Sequence, residues 1–235
     1  MDRHTDGGVG TPAPFPSSRR PRAGAVAACG ALAWTLAPTL ALAALGTRPY
    51  AGTGFDLLAL VGWLGVGLGA LGLGRAFGPS PTRVDRAGLG LFALGWVLLA
   101  GLHARSAAAY VAAGFTPVPA TGEDPAGLLL TLLFLFGYAA VLLGTGALGL
   151  AVRARGEGVR TAAAGWLLLA APAVPAVLVL LDLLGAFPLS VSRVLVTTNA
   201  ALVPLGLAWI AVGVLLWLGP GRGDRAMSVE RGEFL

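Results

Sequence analysis

Lysine is absent from this 235-residue chain, whose 16 basic residues are all arginine. Without lysine there is no retinal-type Schiff base, and the GxxxxGK[ST] phosphate loop cannot be built. Cysteine occurs once, at Cys29, so no internal disulfide can form and the redox compartment stays open. Histidine occurs only at His4 and His103. Two distant histidines supply neither a bis-histidine haem nor the clustered His, Cys and carboxylate ligands of zinc or di-iron centres. No metal or other cofactor is therefore expected. Charge is scarce too, at 11% of residues against about 25% in globular proteins.

What remains is apolar. Hydrophobic residues make up 56% of the chain and come in blocks, the composition of a membrane protein. Arginine as the only base, with the heavy Ala, Gly and Leu load, points to a prokaryote of high genomic GC content. Runs near the roughly 20 residues needed to cross a hydrocarbon core of about 30 Å occur at 24–46, 55–74, 87–103, 126–152, 161–184 and 195–218. The expected fold is all-α: a polytopic bundle of six transmembrane helices. The segment 101–115 either prolongs the third helix past Arg105 or lies along the outer surface.

Arginine placement sets the orientation. Only Arg48, Arg105 and Arg193 fall in the odd-numbered connections; the rest lie in the tails and the even-numbered ones. Retention of arginine-rich connections on the cytoplasmic side predicts a plasma-membrane protein with both termini inside. It also explains the net charge of +5 without any nucleic-acid partner. The lipid bilayer is the expected partner, with other membrane proteins or self-association besides.

Residues 1–22 are rich in Gly, Pro, Ser and Arg and are expected to be a disordered cytoplasmic tail. The bundle follows over 23–218, and 219–235 form a second cytoplasmic tail. SRRPRA (18–23) resembles a twin-arginine signal and VAAC (26–29) a lipoprotein box. A signal needs an apolar stretch of roughly 7–15 residues before its cleavage site, and only six weakly apolar residues precede Cys29. Cleavage after the first apolar run, near 41–43, is the stronger of these alternatives, and retention of that run as a span is expected.

The even-numbered spans share a pattern: a small residue, an aromatic, a small-residue run, then arginine, as in VGWLGVGLGALGLGR (61–75) and FGYAAVLLGTGALGLAVR (136–153). The odd spans carry Ala33-Trp34, Gly95-Trp96 and Gly165-Trp166. Three parallel helical hairpins of about 75 residues would produce this; chance in an Ala/Gly/Leu-biased sequence is the rival. Gly65 and Gly69 form a GxxxG face, the small-residue device by which helices associate in lipid, so tight packing is expected over a water-filled pore. Pro38, Pro172, Pro175 and Pro204 each free a carbonyl and are expected to kink their helices.

GxGxxG occurs at 67–72 and 144–149. A dinucleotide site needs that motif between a strand and a helix, with an acidic residue about 20 positions on, whereas both copies lie inside apolar spans. No serine deep in one span faces a histidine deep in another, and the acidic residues are scattered. An enzyme is not expected.

Acidic residues near the membrane therefore stand out. Asp56 opens the second span, where the helix N-terminus favours a carboxylate. Asp182 approaches the C-terminal end of the fifth span, where the dipole disfavours it. It is expected to pair with Arg193 across the link 185–193, with Asn199 facing the bundle beneath. The competing reading makes Asp182, Asn199, Arg105 and His103 the wall of an outward-facing polar pocket for an ion, proton or small solute. Trp34, Trp63, Trp96 and Trp209 lie near span middles, away from interfacial aromatic belts, and with Tyr138 are expected to pack inward with their N–H groups bonded across helices. The functional expectation is a non-catalytic multi-pass membrane protein with an assembly or accessory role. The alternative is a small secondary transporter or sensor using the pocket near Asp182.

Overall fold

The computed structural model describes residues 20–45, 50–119, 125–155, 158–177 and 191–219. Six long helices account for nearly all of them: α1 (Pro21–Leu45), α2 (Gly54–Ala76), α3 (Arg83–Ala112), α4 (Pro125–Ala154), α5 (Val159–Ala170) and α6 (Val191–Leu218). Between α1 and α2 the short strand β1 (Tyr50–Gly52) pairs antiparallel with β2 (Val118–Pro119), which lies between α3 and α4. This clip ties two connections together at one end of the bundle.

The helices stop and start where local chemistry dictates. α2 runs into Gly78, whose φ of 80° is the left-handed conformation that costs glycine nothing. α3 continues past Arg105 through Ser-Ala-Ala-Ala-Tyr-Val-Ala and ends at Gly114, φ 66°. The prolonged-helix reading of 101–115 is thus the one observed. α5 breaks at Pro172, which has no N–H to continue the ladder, and the chain is helical again over 173–177. Pro38 and Pro204 sit inside α1 and α6.

In chain order each helix packs on the next, and α6 returns to α1, so the six close a ring; α2 also reaches α6 across it. Small residues set the closest approaches. A Cβ on Gly65 would lie 2.6 Å from the Cα of Gly30, and one on Gly69 would lie 2.6 Å from the Cβ of Ala27. The GxxxG face of α2 therefore lies against α1. Gly149 faces the backbone of Gly165 between α4 and α5, and Gly213 faces that of Gly24 between α6 and α1. Both GxGxxG copies are consumed in this way: Gly67 abuts the Trp96 indole, Gly72 the side chains of Ala23 and Leu216, and Gly144 the backbone of Phe92.

Aromatic rings fill the middle. Trp34, Trp63, Phe92 and Trp209 are buried, with ring centroids 4.4 Å apart for Trp34 and Trp63 and 4.6 Å for Phe92 and Trp209. The expected bond across helices forms at Trp96, whose Nε1 donates to the Trp63 carbonyl at 2.6 Å. It does not form at Trp63 or Trp209, whose buried Nε1 atoms have no partner among the described residues; the Tyr138 hydroxyl likewise has none. Helix carbonyls are already occupied by their own i+4 amides, so a buried indole finds few free acceptors.

The outside of the bundle is as apolar as the inside. Leu32, Leu64, Leu68, Leu135 and Leu143 point outward, an apolar surface beyond what monomers in water present. Five helical stretches are long and apolar enough to cross a membrane: Pro21–Leu45, Gly54–Ala76, Arg83–Ala112, Leu132–Ala154 and Val159–Val177; Val203–Leu218 is a shorter apolar helix. These are the features of a membrane-embedded protein.

Candidate functional site

Two carboxylates, one at each end of the bundle, organise its polar chemistry, and both arise from the same local sequence. Thr-Gly-Phe-Asp (53–56) begins α2 and Thr-Arg-Val-Asp (82–85) begins α3. A threonine three residues before an acid forms a capping box, which satisfies otherwise unpaired amides at a helix start. At α3 the box is reciprocal: the Thr82 hydroxyl accepts from the Asp85 amide at 3.3 Å, and the Thr82 amide donates to the Asp85 Oδ2. At α2 the Asp56 Oδ2 accepts from both the amide and the hydroxyl of Thr53, at 2.8 and 2.9 Å.

Asp85 then meets Arg155. The two lie 70 positions apart in sequence, and the guanidinium grips the carboxylate with both Nη atoms, Nη1 to Oδ1 at 2.6 Å and Nη2 to Oδ2. Nη1 also donates to the Ala151 carbonyl at 3.0 Å, and the Phe77 ring lies 4.5 Å from the guanidinium carbon. Side-chain exposure is 1% for Arg155 and 0% for Asp85. The pair is positioned by two helix faces. On α3 the buried stripe runs Asp85, Gly88, Phe92, Gly95, Leu99, a 3-4 spacing that keeps one face toward a neighbour. On α4, Val141, Leu148 and Val152 form the matching stripe, and Arg155 continues it one residue past the helix end. Arg153, two positions back, instead leaves the interior and covers the exposed Trp166 ring at 3.8 Å.

At the opposite end the free Oδ1 of Asp56 lies 3.2 Å from Nδ1 of His103. This pair is open, with side-chain exposures of 20% and 27%. Gly52 packs beside it on the backbone of Ser106 and Tyr110, so the β1–β2 clip borders the site. Asp85 and His103 share α3, 18 positions apart. At about 1.5 Å per residue that is roughly 27 Å, close to the hydrocarbon thickness of about 30 Å.

Of the anticipated pocket residues, only His103 and Arg105 have described side chains. His103 is engaged by Asp56. Arg105, two positions further, points away from it and is exposed. Asp182 lies outside the described residues, as do the side chains of Arg193 and Asn199, which sit on the first turns of α6. The Asp85–Arg155 pair escaped the sequence reading altogether. Its signals were the Thr-x-x-Asp box and the position of both residues at the ends of 3-4 apolar stripes.

No family model, curated protein or solved structure matches this chain.

The chemistry open to each pair differs. Asp85 and the Nη atoms of Arg155 are saturated by one another and by Thr82 and Ala151, which leaves no accessible edge for a ligand. That pair braces the α2–α3 connection against the end of α4. Asp56 and His103 keep solvent access. Among the described residues no group of three or more His, Cys, Asp or Glu is placed to hold a metal.

Proposed function

We propose that this chain is a non-catalytic, multi-pass protein of a prokaryotic plasma membrane, with an assembly or accessory role and both termini in the cytoplasm. Six crossings, including the fifth past residue 177 and all of α6, belong to this reading. So do three hairpin repeats, supported by the small-aromatic-small-arginine pattern that α2 and α4 share. The observation that carries it is the filled interior: helices at glycine contact around the buried Trp34, Trp63, Phe92 and Trp209. Such a core suits a rigid scaffold better than a conduit that must open. The orientation rests on Arg20, Arg75, Arg83, Arg86, Arg153 and Arg160 gathering at one end of the helices.

The second reading, a small transporter or sensor, is favoured by the solvent-accessible Asp56–His103 pair, at the end where the Asp182 hairpin would also emerge. One experiment separates the two. Asp182→Asn is expected to lower thermal stability in detergent, and exchanging Asp182 and Arg193 to restore it. Loss of pH-dependent solute uptake in vesicles, with the thermal transition unchanged, would select the transporter. A reporter fused to either terminus should be active only inside the cell.

A further inference from the structure

At the arginine-bearing end, Arg20, Arg22 and Arg75 converge on a groove of about 610 Å³ between α1 and α2. Its walls below the arginines are aliphatic: Val26 from α1, Leu68 and Leu71 from α2. Helical spacing aligns them, since Arg22 and Val26 are one turn apart on α1, and Leu68, Leu71 and Arg75 follow at three and four on α2. A basic rim thus sits at the top of an apolar channel about 10 Å deep, from seven residues at about 1.5 Å each. The channel faces outward, Leu68 and Leu71 being more than half exposed.

Among the described residues no carboxylate lines the groove, and the ion pairs found among them use Asp56 and Asp85 elsewhere. Arg20 is held in place: its amide donates to the Leu216 carbonyl at 2.8 Å and its Nη2 to the Arg75 carbonyl at 3.4 Å, while its Nε is buried without a partner among the described residues. The first turn of α1 begins at the same rim, and a helix N-terminus favours an anion. Three cations above an aliphatic channel match a molecule that is anionic at one end and hydrocarbon below.

We propose that this groove binds one anionic phospholipid, its phosphate between Arg20, Arg22 and Arg75 and an acyl chain along Val26, Leu68 and Leu71. The inference rests on the membrane-embedded reading and adds a lipid class to it. The test is native mass spectrometry of the full-length protein in detergent with equimolar phosphatidylglycerol and phosphatidylethanolamine. Preferential retention of phosphatidylglycerol is expected. Arg22→Gln should reduce it about fivefold, and Arg22→Gln with Arg75→Gln roughly thirtyfold, at the usual contribution of one arginine near an anionic surface. Leu71→Trp, which fills the channel and leaves charge unchanged, should reduce retention as well. Arg83→Gln with Arg86→Gln, equal in charge but on α3, should leave it intact.

Equal retention of the two lipids would overturn the proposal, as would an equal loss in the α3 variant, which would mean diffuse surface charge. Complete displacement by glycerol phosphate would make the site one for a free phosphate. A gain in retention on Asp2→Asn with Asp6→Asn would assign the groove to the chain's own N-terminal segment. Failure of the membrane reading is visible separately, as intact protein in a salt-washed, detergent-free supernatant.

Discussion

The two ends of the bundle use one capping motif to different effect. At the start of α3, Thr82 and Asp85 cap the helix and Asp85 is sealed against Arg155, with Phe77 over the guanidinium. At the start of α2, Thr53 and Asp56 cap the helix and Asp56 meets the half-open His103. Desolvation makes the difference. A buried ion pair is held by mutual attraction against a large hydration cost, so removing one partner strands a charge. A pair in contact with water loses little when broken, because solvent replaces the missing partner. Local sequence placed a carboxylate at each helix start, and tertiary packing decided what it does.

Matched substitutions sharpen this contrast. Asp85→Asn keeps the shape and the cap but leaves Arg155 uncompensated, and is expected to cost about 3–5 kcal/mol, read as a shifted midpoint in denaturant titration of the detergent-solubilised protein. Replacing both partners, Asp85→Leu with Arg155→Met, should recover most of that loss; failure to recover would mean that the carboxylate matters chiefly for the cap. Gly144→Ala pushes a Cβ to 2.7 Å from the Phe92 Cα, on the α3–α4 interface that leads to the buried pair. Overpacking there should cost about 1–3 kcal/mol and increase hydrogen exchange around Asp85 while sparing residues 53–56. Thr82→Val removes the hydroxyl of the box and is expected to cost about 1 kcal/mol in the same titration. Asp56→Asn should change stability by about 1 kcal/mol or less, an effect that shrinks with added salt, whereas the Asp85 effect should persist. Equal costs for Asp56→Asn and Asp85→Asn would break the comparison.

Much of the fold was legible in the sequence because lipid imposes a length and a polarity on each crossing. The apolar runs located the helix starts to within about four residues, and the GxxxG at Gly65 and Gly69 identified a packing face correctly. Helix ends were less legible: α3 continues past Arg105 because the next residue able to stop it is Gly114. The inward position of the tryptophans followed from their mid-span placement. Their hydrogen bonds did not, since an acceptor depends on which carbonyl a neighbouring helix presents. The principal polar contact was hidden for a similar reason. Arg153 and Arg155 look alike in an arginine-rich connection, and only the stripe through Val141, Leu148 and Val152 assigns one to lipid-side Trp166 and the other to the interior.

The polar pins on α3 also bear on which membranes suit the protein. A straight helix cannot stretch, so the distance between the sealed Asp85 and the open His103 acts as a ruler of roughly 27 Å. In a thicker bilayer the His103 end, being the one that depends on water, would be drawn into hydrocarbon first, and the protein would tilt or thin the surrounding lipid to keep it wet. Bilayers of different chain length should therefore perturb the bundle from that end inward.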